Sequence, residues 1–221
     1  MAYKPRNTGV KEDVPLDYIP KASNWIQHTT PVKNQASCGS CWAFSAVEAV
    51  ESAENVNGNK LVDLSEQKLV DCDPGSYGCD GGFMDTAVKY MIAQKVWPLE
   101  KEYAYTARDG SCKTTKGSFT LTVNAYKTPS STKTLTTILE SEGAPSVAVD
   151  ASDWSSYTSG VHSCRSKDLN HGVQAVGIDD NGNWVIRNSW GTRWGQQGFI
   201  TLKGGASTCG VADEITMPYR K

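Results

Sequence analysis

The 221-residue chain lacks any run near the roughly 18 consecutive apolar residues of a membrane-crossing helix; its longest apolar pieces, such as Cys41–Phe44, span about four. A helical membrane span is excluded. Basic blocks are also missing: 22 Lys and Arg stand against 24 Asp and Glu, a formal net charge of −2. That balance argues against a nucleic-acid surface and against polybasic lipid binding. Histidine is scarce, with three residues, so chemistry that needs an imidazole has few places to find one. No Asn-x-Ser/Thr sequon occurs, and N-glycosylation is not expected. Beyond Cys38-x-x-Cys41 there is no second close cysteine pair of the kind a zinc ribbon needs. The irregular chain before that pair also lacks the strand that a thioredoxin-like redox motif would follow. No metal or other cofactor is expected. What remains is a chain with 38% AVILMFWYC residues and 9% aromatics, enough for a real core in one large domain or two small ones sharing a cleft.

Cysteine is the informative residue. The seven, Cys38, Cys41, Cys72, Cys79, Cys112, Cys164 and Cys209, are an odd number, so in an oxidised chain at least one lies outside every intramolecular bridge. The count alone is met equally by structural cysteines plus one inert buried thiol.

Residues 1–22 are polar, punctuated by Pro5, Pro15 and Pro20, and read as an extended arm with no apolar leader. From Cys41 the pattern turns helical. Trp42, Ala46, Ala49, Val50 and Ala53 form an apolar stripe, with Glu48, Glu51 and Glu54 largely off it and Ser40 as the expected N-cap. Ser65 is expected to cap a short helix through Val70, and a third helix is expected over Phe83–Gln94. After Gly110 the texture becomes β-rich, over Ser118–Tyr126, Ser146–Val149, His171–Ile178, Asn183–Asn188 and Gly198–Leu202. One helical interlude, near Thr132–Glu142, is closed by Gly143. The expected fold class is α+β: a mainly helical part packed against an antiparallel, barrel-like part, with a groove between them. Trp97, Tyr103 and Tyr105 read as packing residues.

A thiol in the first turn of a helix meets unsatisfied N–H groups and the positive end of the helix dipole, which favour the nucleophilic thiolate. It then needs a base. His28 and His162 read as structural or surface residues. His171 opens a strand that turns at Asp179-Asp180-Asn181-Gly182 and returns through Asn183–Asn188. With Ile178 opposite Asn183, His171 falls opposite Trp190, and Asn188 is its diagonal neighbour on the same face. A bulge of one or two residues would bring the two level. An imidazole held by an amide and shielded by an indole is an oriented base, completing a nucleophile–base–orienter set.

The segments Gln35-Ala36-Ser37-Cys38-Gly39-Ser40-Cys41-Trp42-Ala43-Phe44-Ser45, Asn170-His171-Gly172 and Asn188-Ser189-Trp190-Gly191 resemble the papain-like cysteine peptidases of the cathepsin L type. His171 and Asn188 lie 130 and 147 residues beyond Cys41, and the resemblance runs from about Trp25 to Tyr219. It implies a papain-like fold with Cys41 as nucleophile, His171 as its partner, Asn188 as orienter and Gln35 as oxyanion donor with the Cys41 N–H. Trp190 would shield the His171–Asn188 bond. Gly39, Gly81, Gly82 and Asn170 would line the substrate backbone, with Gly82 pairing to it like an added strand. Phe83, Met84, Ala148 and Leu169 would wall the main specificity pocket, with Glu214 at its floor. Large hydrophobic residues and Arg are expected there, at the second substrate position before the cut. Disulfides are implied between Cys38 and Cys79, Cys72 and Cys112, and Cys164 and Cys209.

The resemblance further implies an endopeptidase, because no long insertion follows Cys112 or separates Cys79 from Cys112. The implied layout is a propeptide remnant or arm (1–22), a helical domain (23–125), a β domain (126–210) and a C-terminal segment crossing back (211–221). Expected partners are polypeptide substrates, cystatin-type inhibitors and the chain's own propeptide, with the protein monomeric and bound to neither nucleic acid nor membrane. The disulfides point to a lysosome/vacuole-like compartment or to secretion. The rival from another class is a papain-fold protein that binds or stores without cleaving, which loss of Cys41, His171 or Gln35 would have signalled.

Overall fold

A computed structural model describes residues 20–115 and 117–221. The expected N-terminal arm therefore lies, up to residue 19, outside the described residues. In chain order the elements begin with β1 (Ser23–Asn24), α1 (Cys41–Val56), α2 (Gln67–Cys72) and α3 (Met84–Gln94). Then come β2 (Val96–Trp97), β3 (Phe119–Thr120), β4 (Ala125–Lys127), α4 (Thr132–Ser141) and β5 (Ser146–Val149). The chain finishes with β6 (Val161–His162), β7 (His171–Ile178), β8 (Trp184–Arg187), β9 (Phe199–Leu202) and β10 (Ile215–Tyr219).

The α+β class holds, but the sheet is open rather than barrel-like. Its order is β4-β10-β5-β7-β8-β9-β6, with β1 added on β7 and the β6–β9 pair parallel. Both ends of that order are edges, so the sheet does not close. The C-terminal β10 lies inside it, between β4 and β5. The expected strand Ser118–Tyr126 is divided into β3 and β4. Between them, the Thr122 and Val123 N–H groups donate to Glu54 Oε1 (2.7 and 2.8 Å) instead of to a neighbouring strand.

Two apolar cores flank α1. One gathers Trp42, Ala46, Val50, Leu69, Ala87, Met91 and Trp97; the other gathers Leu135, Ile138, Val147, Val173, Trp184, Ile186 and Ile200. Each such side chain contributes roughly 1.5–3 kcal/mol by leaving water. Because α1 is packed from both sides, Glu48, Glu51 and Glu54 are buried (1%, 0% and 0% exposed), contrary to the amphipathic reading. Burial of carboxylates demands partners. Glu51 accepts from Thr30 Oγ1 (2.7 Å), Lys33 Nζ (2.8 Å) and the Leu64 N–H (2.7 Å).

Helix starts depart slightly from expectation. Ser40 precedes α1, but its side chain makes no cap and bonds Tyr105 instead. Ser65 accepts the Lys68 N–H at 3.1 Å, while α2 itself runs Gln67–Cys72. Disulfides join Cys38–Cys79, Cys72–Cys112 and Cys164–Cys209, across separations of 41, 40 and 45 residues. In the chain-entropy picture each stabilises the fold by about 4 kcal/mol.

Candidate active site

Cys41 is the first residue of α1, fully buried and outside the three disulfides. No acidic residue occupies the first turn of α1, so nothing there offsets the positive end of the helix dipole. The sheet reaches this point through β7. A Cβ placed on Gly172 would lie 3.1 Å from Met84 Sδ and 3.3 Å from the Cys41 carbonyl oxygen, so a side chain there would crowd the close approach beside His171.

His171 opens β7, paired with Val149 of β5, and is fully buried. Its Nε2 lies 2.8 Å from Asn188 Oδ1, which also accepts the Ser189 N–H at 2.8 Å. An amide oxygen only accepts, so Nε2 carries the proton in this bond. Nδ1 is buried and takes no hydrogen bond among the described residues. The register producing this contact differs from the simple count. Near the turn Ile178 faces Trp184, not Asn183; an irregularity between Ala175 and Gly177 then restores Gln174 opposite Arg187. A bulged residue at Val176 thus returns His171 and Asn188 to the expected frame.

An aromatic wall encloses the imidazole. Trp190 lies 4.9 Å from its centroid and Trp154 meets it edge-on at 6.2 Å. Trp194 stacks on Trp154 (6.1 Å) and donates its indole N–H to the Trp154 carbonyl at 3.1 Å. Trp190 stands where the sequence places it. Trp154 and Trp194 were missed, because only the fold brings Trp154 to the imidazole, with Trp194 backing Trp154 and Trp190.

Gln35 is 6% exposed and tied at several points. Its Nε2 donates to Cys38 O at 3.0 Å, its N–H donates to Ser189 O at 2.8 Å, and its Oε1 accepts the Ser189 hydroxyl at 2.8 Å. An amide nitrogen has two hydrogens, so one N–H remains beyond the Cys38 bond. Tyr105 is more than the packing residue expected. Its hydroxyl donates to Gln35 O at 2.8 Å and accepts from Ser40 Oγ at 2.6 Å. Burial pushes its phenol up to about 12, against the lowering effect of the Ser40 bond, so the donor is retained across the working pH range.

The other residues singled out by sequence fall around these. Gly39 donates its N–H to Cys79 O at 3.0 Å, and the Cys38–Cys79 bridge locks the same two loops. Gly81 has φ of +116°, a region that disfavours side chains. On Gly82 a Cβ would fall 2.5 Å from the Trp42 ring and 2.5 Å from Ser76 Oγ. Met84 and Ala148 are buried in one core cluster, against which Phe83 and Leu169 pack. Glu214 is half-buried, and its carbonyl accepts the Ala148 N–H at 3.0 Å, which sets it beside that cluster. Asn170 is held by its side chain: Oδ1 accepts the Ala151 N–H (3.0 Å), and Nδ2 donates to Asp150 Oδ1 (3.1 Å) and Ser152 Oγ (2.8 Å). Burial opposes ionisation of Asp150, yet hydrogen bonds from Ser152 and Ser166 hold its carboxyl down to about 2. That charge knits the loop leading into His171.

Residues 19–219 match the family described as papain family cysteine protease. The chain belongs to this family. It is 48% identical over 190 residues to "Cathepsin L 2" of Paramecium tetraurelia, covering 85% of this chain and 59% of that protein. To "Procathepsin L" of Rattus norvegicus it is 40% identical over 218 residues, covering 90% of this chain and 65% of that protein. It thus spans about three-fifths of the length of these relatives. Bromelain from Ananas comosus, solved with the inhibitor E64, superposes with a TM-score of 0.84 at 35% identity, covering 92% of this chain and all of that one.

Among the described residues, the grouping of His162 with Cys164 and Cys209 offers no thiolate to a metal, since both sulfurs are in one disulfide. His162 bonds Asp153 at 3.0 Å, and His28 bonds Asn55 at 2.7 Å, consistent with structural or surface roles.

Proposed function

We propose that this papain-family chain is a cysteine endopeptidase working through Cys41, His171 and Asn188. The observation that carries the reading is the 2.8 Å His171 Nε2–Asn188 Oδ1 bond in a buried aromatic pocket, with Nδ1 taking no hydrogen bond among the described residues and the Cys41 backbone packed against Gly172. The Cys41 thiolate attacks the substrate carbonyl carbon, and the resulting oxyanion takes the remaining Gln35 N–H and the Cys41 backbone N–H. His171, as imidazolium, gives its Nδ1 proton to the departing amine as the C–N bond breaks. Water, deprotonated by the neutral ring, then cleaves the thioester to release the acid and the thiol.

Substrate is held in the groove between the two cores, its backbone alongside Gly82. The second residue before the cut enters the pocket of Phe83, Met84, Ala148 and Leu169. Glu214 at its edge pairs with Arg and swings aside for Leu or Phe, giving dual acceptance. Cystatin-type inhibitors and the chain's own propeptide are the proposed protein partners, the molecule acting as a monomer. Three disulfides support a lysosome/vacuole-like or extracellular setting.

Active-site titration with an irreversible thiol-directed epoxide tests the reading. One equivalent is expected to abolish peptide turnover and to appear by mass spectrometry on Cys41. Full labelling without any turnover before it supports the binding or storage alternative, and turnover surviving Cys41→Ala removes the mechanism.

A further inference from the structure

Beneath the site lies a second trio of buried polar residues that the mechanism does not use: Glu48, Gln174 and Arg187, at 1%, 0% and 0% exposure. Each is rigidly linked to one member of the first trio. Glu48 is two turns along α1 from Cys41, on the same helix face. Gln174 is three residues along β7 from His171, and Arg187 immediately precedes Asn188 at the end of β8.

The trio is joined across all three elements. Gln174 Nε2 donates to the Glu48 carbonyl (3.0 Å), to Ser52 Oγ (2.8 Å) and to Ala144 O (3.2 Å). Its Oε1 accepts from Arg187 Nη1 at 3.2 Å. Arg187 Nη2 donates to Pro31 O (2.7 Å) and Thr30 Oγ1 (3.1 Å) and lies 3.6 Å from Glu48 Oε1. That carboxylate oxygen takes no hydrogen bond among the described residues.

We propose that Glu48, Gln174 and Arg187 are positioning residues that hold α1, β7 and β8 in the register the Cys41–His171–Asn188 reaction needs. The proposal rests on the peptidase reading above. The charged groups facing Glu48 are Arg187 from β8, Lys33 from the segment before α1, Glu51 on α1 itself and His171 at the head of β7. Burial pushes the Glu48 carboxyl up to about 7, with Arg187 and Lys33 opposing.

The test compares the full-length wild type with Glu48→Gln and Gln174→Met, using iodoacetamide alkylation of Cys41 and peptide turnover from pH 4 to 10. Wild-type alkylation that persists well below the ordinary thiol range upholds the peptidase reading; a single ordinary thiol titration ends that reading whatever the variants do. In Glu48→Gln, kcat is expected to fall about tenfold at constant KM. Unchanged kcat in Glu48→Gln overturns its positioning role. Gln174→Met removes the donor to Glu48 O, Ser52 Oγ and Ala144 O and the acceptor of the Arg187 guanidinium, and remains informative if Glu48→Gln fails to fold. It is expected to lower kcat about tenfold or more at constant KM. A lower melting temperature with unchanged kcat overturns the positioning role.

Discussion

Ser189 and Gln35 are bonded twice, side chain to side chain and backbone to backbone, each at 2.8 Å. Ser189 directly follows Asn188, so the proposed oxyanion donor and the residue holding His171 share one rigid junction between the segment before α1 and the end of β8.

The junction yields a graded prediction. Gln35→Ala is expected to reduce kcat by about 10²–10³ with little change in KM, the range for losing one oxyanion donor. Ser189→Ala keeps that donor but frees its amide to rotate, and is expected to cost less. Steady-state kinetics of both variants on one peptide substrate check the order, and a larger loss for Ser189→Ala contradicts the assignment.

Glu214 offers a specificity test. Glu214, half-buried and bonded through its backbone carbonyl to the Ala148 N–H, is expected to contribute a charge-assisted bond to Arg, worth about 1.5–3 kcal/mol. Glu214→Ala should lower kcat/KM for substrates with Arg two residues before the cut by roughly 10- to 100-fold. Turnover of Phe and Leu substrates should be unchanged. Undiminished Arg cleavage would rule out this role for Glu214.

Asp150 makes stability pH-dependent in a defined window. Its folded carboxyl sits near 2 against an ordinary 3.8, so the stability it adds is complete above that ordinary value and drains away as pH falls from about 4 toward 2. Thermal melts in that interval are expected to fall more steeply for the wild type than for Asp150→Asn. Parallel curves would show that the Ser152 and Ser166 bonds confer no such stabilisation.

Much of the site was legible in the chain because nearby residues encode local geometry. Cys41 in the first turn of α1 follows from helical periodicity, and β5 and β7 fall at the expected residues. The hairpin shows where counting reaches its limit. Ile178 was placed opposite Asn183 and in fact faces Trp184, yet the Val176 bulge restores the frame before His171. Two deviations cancel, and neither is written in the period-2 pattern, since a bulge is fixed by how both neighbours of a strand pack. Likewise the division of Ser118–Tyr126 depends on Glu54, more than 60 residues earlier, reaching in to take its N–H groups.

The sequence by itself determined which side chains could do chemistry: an odd cysteine at a helix start, one histidine heading a strand, and an amide on the returning strand. Tertiary structure alone decided that α1 would be enclosed on both sides. That enclosure turns Glu48, Glu51 and Glu54 from expected surface charges into buried partners and sets Trp154 against His171 and Tyr105 against Gln35. The reason is physical. Periodicity records only which face of an element is apolar, whereas the burial of a polar group depends on partners from distant parts of the chain, whose arrival no local pattern encodes.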